Sequence, residues 1–399
     1  MPQFGPANER ASILKSITNI WNGNPANFLP IAYPSNPTEH IFPDSLIIVR
    51  EDEPTSILAF TLGSRHYKEK LVSMQPGTNT DSIAASQAPA AAVFGDIEET
   101  LLRGTGTHIR YQFWDGPTRM HCKVFFAEQF DALRRNCGAD EQYVQSLARC
   151  IKWEASGGKS GSTFLKTRDD WLVAKQLSRP EMDALYKFAP EYFEYMSRAF
   201  FHELPTVLAK IFGFYRIGFK NPVTGKTIKM DLLVMENLFY DRSISRIFDL
   251  KGSMRNRHVQ STGKQNEVLM DENLVEFIYD SPLFIREHSK RLLRASVWND
   301  TLFLSKLNVM DYSLLVGIDS DSNELVVGIV DFIRTFTWDK KLESWVKETG
   351  FLGGGGKEPT IVTPRQYKNR FREAMEKYFL MVPDKFLIAD AEGSLLGSK

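Results

Sequence analysis

Two apolar stretches, 312–318 and 325–330, flank the run Asp319-Ser320-Asp321-Ser322-Asn323, and no other segment constrains the chain as tightly. Aliphatic runs on either side of a cluster of Asp, Ser and Asn predict an antiparallel hairpin. In that hairpin, residues whose numbers sum to about 643 oppose each other. Asp311 and Asp331 then leave the two strands at the same open end, a few ångströms apart. A carboxylate pair so placed suits phosphoryl transfer, one orienting an attacking hydroxyl and the other holding magnesium on the phosphates. Solvated aspartates also end many hairpins, so the pair needs support from the rest of the chain.

The 399 residues are 43% hydrophobic and include 28 phenylalanines, ample for a core in two or three domains. Formal net charge is zero. Composition therefore offers no global attraction to nucleic acid, and no nucleic-acid partner is expected; any membrane signal must be local. Cys122, Cys137 and Cys150 are an odd set without CxxC spacing, which argues against a disulfide framework or a zinc site and fits a reducing compartment. The start MPQFGPANER lacks an apolar signal core, and no apolar run nears the ~18 residues of a membrane span. An intracellular chain that does not cross a membrane is expected.

Residues 1–104 read as an N-terminal extension and linker, partly disordered. They hold a helix over 11–21 and a run of small polar residues over 75–92. Residues 105–236 form a strand-rich unit: 109–114 and 122–126 pattern as strands, 128–137 and 141–150 as helices. Two strands flank Thr167-Arg168-Asp169-Asp170, 190–201 is helical, and strands at 211–219 and 229–235 surround the turn at Asn221. Residues 237–386 mix helices and strands, and 387–399 form a tail. The layout predicts a two-lobed α+β enzyme with antiparallel sheets and a cleft at the crossover near Glu236-Asn237-Leu238.

Four motifs bear on chemistry. Ser156-Gly157-Gly158-Lys159-Ser160-Gly161 is a glycine-rich turn between strands, where backbone N–H groups can approach phosphate oxygens; Trp153 stands where a P-loop needs glycine. Lys175, in the strand Leu172-Val173-Ala174-Lys175-Gln176, would lie beneath that turn and reach phosphates. A buried lysine needs an acid partner, for which Glu181 is the first choice and Asp183 the reserve. Residues 251–264 hold four Lys/Arg and no acid, a solvated surface or a phosphate site. Finally, 338–347 predicts an amphipathic helix with Trp338, Leu342, Trp345 and Val346 on one face and Lys340 and Lys347 opposite. It either packs on the core or docks weakly on an anionic membrane, and Gly353 to Gly356 follow as a flexible exit.

Together the segments SGGKSGSTF, LVAKQ, LLVMENLF, FDLKGSMRNRHV, NVMDYSLLVGID, GIVDFIRTFTWDKKLE and FREAMEKYFLMVPD resemble the phosphatidylinositol phosphate kinases, most closely the phosphatidylinositol 3-phosphate 5-kinase (PIKfyve-type) branch, over roughly residues 105–386. The resemblance implies a kinase-related, SAICAR-synthase-like fold, with ATP and Mg2+ as cofactors and transfer to the inositol 5-hydroxyl of phosphatidylinositol 3-phosphate. It implies nucleotide contacts at Gly158, Ser160, Gly161 and Lys175, and a hinge at Met235, Glu236, Asn237 and Leu238. Asp311 would be the catalytic aspartate and Asp331 the magnesium ligand. Lys251 would touch the transferred phosphate, with Arg255 and Arg257 on the lipid's own phosphate. Lys340, Lys341 and Glu343 fall in the specificity loop, where glutamate marks 5-hydroxyl transfer. A peripheral place on endosomal or vacuolar membrane is implied, with a scaffold protein and a lipid phosphatase as partners. The family's upstream zinc-finger and chaperonin-like modules are missing, as in a catalytic fragment or shortened paralogue. Alternatives are a phosphatidylinositol 4-phosphate 5-kinase, a pseudokinase binding phosphoinositides, or a protein kinase, whose HRD and DFG signatures the chain lacks.

Overall fold

Residue alternation builds the larger sheet. The strands Ile109–Asp115 (β1) and Thr118–Phe125 (β2) bury Ile109, Phe113, Met120, Cys122 and Val124 on one face. The period of two sends Arg110, Arg119 and Lys123 to the other. Cys150–Trp153 (β3), Phe164–Thr167 (β4), Leu172–Gln176 (β5), Ile211–Lys220 (β6) and Thr227–Glu236 (β7) complete seven antiparallel strands in the order β1-β2-β6-β7-β5-β4-β3. This computed structural model describes residues 37–74, 96–153, 163–263, 267–333 and 363–384. The expected helices at 11–21 and 338–347, the 75–92 run and the turn of Gly158, Ser160 and Gly161 lie outside the described residues, as do Lys340, Lys341 and Glu343.

Part of the stretch read as an N-terminal extension belongs to this core. Thr55–Gly63 (α1) buries Ile57, Leu58, Phe60 and Leu62, each contributing about 1.5–3 kcal/mol. Ion pairs tie the same segment to the sheet: Glu53 accepts from Arg149 Nε at 2.7 Å and Arg168 at 3.2 Å, and His40 Nδ1 lies 2.8 Å from Asp115. Ala127–Asn136 (α2) and Asp140–Leu147 (α3) follow β2. The latter stops short of Cys150, which pairs as the first residue of β3.

Arg179–Phe201 (α4) links the two halves. It starts eleven residues before the expected Pro190, because Ser178 and Glu181 form a reciprocal cap at its N-terminus. Pro190 sits inside it. An interior proline costs ~3 kcal/mol, offset here by a buried face of Leu185, Phe188, Tyr192, Phe193 and Met196. Tyr192 and Phe188 pack on Phe332, and Tyr195 stacks on Phe303 at 4.2 Å.

Beyond the crossover, Ile244–Leu250 (β8), Val268–Leu269 (β9), Ser313–Asp319 (β10) and Glu324–Val330 (β11) form a four-stranded sheet in the order β9-β8-β10-β11. Within this sheet the two-residue β9 pairs with β8 in parallel. The hairpin has the expected register: Ser313 opposes Val330 and Leu314 opposes Ile329. Asp271–Asp280 (α5), Glu287–Lys306 (α6) and Pro364–Tyr378 (α7) cover this half. Asp300, fully buried in α6, accepts from Tyr195 Oη, Thr206 Oγ1 and the Val207 amide. That holds the strap 206–209, whose Val207 and Ala209 bond the backbone of Ile329 two residues before Asp331.

Candidate active site

Each hairpin aspartate sits in a left-handed backbone conformation, φ +68° at Asp311 and +58° at Asp331. Aspartate tolerates that region better than most residues, yet two such positions at one hairpin mouth point to a fixed geometry there. Buried neighbours hold it. Val309 and Tyr312 flank Asp311, and Phe332 and Ile333 follow Asp331. The Tyr367 hydroxyl donates to the Tyr312 carbonyl; burial, with the Asp311 charge second, keeps that hydroxyl well above its ordinary pKa, so it stays a donor. The carboxylates themselves remain about half exposed, 48% at Asp311 and 43% at Asp331.

Lysines arrive from both lobes. Lys175 on β5, only 3% exposed, places Nζ 2.7 Å from Asp331 Oδ1 and 3.5 Å from Glu181 Oε1. Glu181 is therefore the partner the sequence suggested, and it does a second job by accepting from the Ser178 amide and hydroxyl at the start of α4. Two carboxylates offset the desolvation of the buried ammonium. Asp183 stays on the exposed side of the same helix.

Lys251 follows β8 and places Nζ 2.6 Å from Asp311 Oδ1. Its backbone is anchored by Asp271, a residue the sequence reading missed. This carboxylate, 0% exposed, accepts from the amides of Lys251 and Gly252, from Arg257 Nε at 2.9 Å and from Tyr378 Oη at 2.9 Å. The turn also requires glycine. Gly252 has φ +67°, and a Cβ there would lie 2.9 Å from Ala374 Cβ and 3.1 Å from Phe371 Cα on α7.

Arg257, read as a contact for the lipid's phosphate, is engaged inside the protein. Its guanidinium bonds Asp249 Oδ1 at 2.6 Å, the Asp249 carbonyl and Asp271. Although burial disfavours its charge, the Asp249 and Asp271 carboxylates hold its pKa above the usual arginine value. Of the two arginines, Arg255 is the exposed one.

The crossover joins the two sets of groups. Glu236 accepts from the Lys210 amide at 2.7 Å and its Nζ at 3.2 Å. Asn237 donates through Nδ2 to the Asp170 carbonyl and through its amide to the Trp171 carbonyl. Leu238 then lies over Gly328 in the hairpin, while Met235 pairs with Val173 and Glu236 closes the ladder with Leu172. The segment carrying the expected hinge is thus stapled to the β4–β5 turn on one side and to the hairpin on the other. Two lysine–carboxylate pairs meeting at one hairpin end can bind phosphate by charge and place a proton acceptor beside it.

A family model described as phosphatidylinositol-4-phosphate 5-kinase matches residues 147–325 and 320–378, a span that takes in Lys175, Lys251, Asp271, Asp311 and Asp331. Among curated proteins, the chain is similar to the 1-phosphatidylinositol 3-phosphate 5-kinase FAB1 of Saccharomyces cerevisiae, with 48% identity over 453 aligned positions, 95% of this chain and 20% of that protein. It is 52% identical over 295 positions to the human 1-phosphatidylinositol 3-phosphate 5-kinase, covering 73% of this chain and 14% of that protein. Against the Arabidopsis thaliana 1-phosphatidylinositol-3-phosphate 5-kinase FAB1B the identity is 43% over 372 positions, 86% of this chain and 21% of that protein. The chain spans about a fifth or less of the length of these relatives.

Proposed function

Because the chain belongs to the phosphatidylinositol-4-phosphate 5-kinase family, we propose that it transfers the γ-phosphoryl group of ATP to the 5-hydroxyl of phosphatidylinositol 3-phosphate. The observation that carries this reading is the convergence of Lys175–Asp331 and Lys251–Asp311 at the mouth of one hairpin. The choice of the 3-phosphate lipid and the 5-hydroxyl follows the activity named for the relatives, with Glu343 in agreement.

Lys175 binds the α- and β-phosphates from beneath, positioned by Glu181. Asp311 orients the 5-hydroxyl and accepts its proton as the 5-oxygen bonds to the γ-phosphorus. The bond from that phosphorus to the β–γ bridging oxygen breaks, and ADP leaves. Lys251, beside Asp311, draws the transferred group by charge. Asp331 fits a Mg2+ site: it is a hard oxygen donor, open at the cleft, of the kind that holds this cation together with phosphate oxygens. When bound, the cation neutralises charge on the β- and γ-phosphates. Exposed Arg255 is the nearest candidate in the 251–257 turn for the lipid's own phosphate; Arg257 instead braces Lys251 through Asp271.

The loop carrying Lys340 and Lys341 supplies contact with an anionic membrane surface in this reading. Recruitment to endosomal or vacuolar membrane, by a scaffold and beside a lipid phosphatase, belongs to the same proposal. No described helix is long and apolar enough to cross a membrane.

The test uses γ-labelled ATP and phosphatidylcholine vesicles carrying each monophosphoinositide in turn, with products resolved by position. Label at the 5-position of phosphatidylinositol 3-phosphate is expected. Label only on phosphatidylinositol 4-phosphate, or nowhere, overturns the reading. In the same assay Lys340→Glu with Lys341→Glu is expected to lower vesicle turnover about tenfold or more, at about 1 kcal/mol per basic residue near a charged leaflet, while ATP affinity persists. Unchanged vesicle turnover removes the docking role of that loop.

A further inference from the structure

The outer face of the larger sheet carries a concentration of positive charge that neither folding nor the catalytic site explains. Its outward positions on β1, β2, β6 and β7 hold Arg110, Arg119, Lys123, Arg216, Lys220 and Lys229, with His121 among them. Among the described strand residues one carboxylate, Asp231, shares the face, and Arg216 already grips it through Nε at 2.7 Å and a terminal nitrogen at 3.2 Å, with Asp183 of α4 attracting Arg216 more weakly. Among the described residues, Arg110, Arg119, Lys123, Lys220 and Lys229 make no ion pair. Helix α4 roofs only the inner end of this face, where Tyr186 meets Phe125 and Met182 meets Arg216. The outer rows stay open, with Arg110, Arg119, Lys220 and Lys229 all exposed.

The placement works against the sheet. Arg110 stands directly opposite Lys123, Lys123 opposite Arg216, and Arg119 opposite Lys220. Like charges at opposed positions destabilise strand pairing, and three such pairs side by side give folding nothing in return. His121 lies at the centre, its ring over Gly218: a Cβ on that glycine would fall 1.9 Å from His121 Cε1. Burial first, then Arg110, Arg119, Lys229 and Arg216, push the imidazole below its ordinary pKa, which places cations around it from β1, β2, β6 and β7. Lys123 is depressed likewise by burial, Arg216 and Arg110. The Gln112 amide lies between the Arg110 and Arg119 guanidiniums.

We infer that this face is a second, non-catalytic anion site for a compact ligand carrying several clustered phosphates. The cations surround a shallow centre over Gly218 and span three strand spacings, about 14 Å, from β1 to β7. A ring of that size converging on one point matches grouped phosphates. The chemistry is the same whether they are borne by a soluble polyphosphate or by a multiply phosphorylated lipid headgroup.

The test is titration calorimetry of the whole chain with inorganic tripolyphosphate, the nucleotide site being saturated with a non-hydrolysable ATP analogue and magnesium. A parallel arm uses phosphatidylcholine vesicles with and without a bisphosphorylated phosphoinositide. Arg119→Glu with Lys229→Glu, both on exposed residues, is expected to leave thermal unfolding unchanged or raise it, since the Arg119–Lys220 repulsion is relieved, and to weaken binding at least tenfold. Arg119→Gln with Lys229→Gln should give an intermediate loss. A loss seen with tripolyphosphate identifies a soluble ligand; the same loss confined to the charged vesicles identifies the headgroup. Equal affinity of wild type and both variants in the two arms, or no binding by the wild type to either probe, overturns the inference.

Discussion

Asp331→Asn is expected to lower phosphoryl transfer by about 10²–10³-fold, because the carboxylate proposed to hold the cation on the phosphates is gone, with thermal unfolding nearly unchanged. The two halves of that expectation rest on different parts of the geometry. Asparagine accepts the left-handed conformation that Asp331 occupies at φ +58°, so the end of β11 keeps its path. Phe332 and Ile333 stay buried against α4, and Lys175 keeps Glu181 3.5 Å away. What disappears is the carboxylate charge 2.7 Å from Lys175, the group proposed to hold the phosphates' cation. Turnover within a few-fold of wild type would remove Asp331 from the chemistry, and a large fall in unfolding temperature would make it structural.

Asp271→Ala is expected to cost about 3–5 kcal/mol, the usual result of removing one partner of a buried ion pair, and to abolish turnover as well. The carboxylate is the meeting point of α5, the Lys251–Gly252 turn, Arg257 and Tyr378. Its loss leaves two half-buried amides without an acceptor and Arg257 with Asp249 alone. Thermal unfolding measured beside ATP-dependent turnover checks both effects. Asp271→Asn separates them: it keeps an acceptor oxygen for the turn and should recover part of the stability. Wild-type stability in the alanine variant would show that the turn holding Lys251 is supported elsewhere.

The hairpin was legible because it is local. Two short aliphatic runs centred on a turn cluster set the register, and the observed pairing of Ser313 with Val330 follows. Lys175 and Glu181 were legible for a related reason: a lysine in an apolar strand needs an acid, and the helix that follows supplies one six residues on. The internal engagement of Arg257 was not legible because its partners are not local. Asp249 precedes the basic run, and Asp271 opens a later helix, so sequence shows a cation cluster where the fold shows a neutralised brace. Asp271 itself looks like an ordinary acid in a first helical turn. The buried helix α1 escaped notice because it is buried nearly all round and carries no amphipathic period to read. Its attachments, Glu53 to Arg149 and Glu51 to Asn221, span most of the larger lobe.

The central claim is that Lys175 and Lys251, from different lobes, face the phosphates of one bound nucleotide. An acyl phosphate of ATP tests it directly, since it delivers its acyl group to lysine amines beside the terminal phosphates and mass spectrometry then locates the label. The account predicts acylation of Lys175 and Lys251 above the exposed lysines Lys68 and Lys377, suppressed by excess ATP. Label spread evenly over surface lysines, or at the two site lysines but insensitive to ATP, would contradict it.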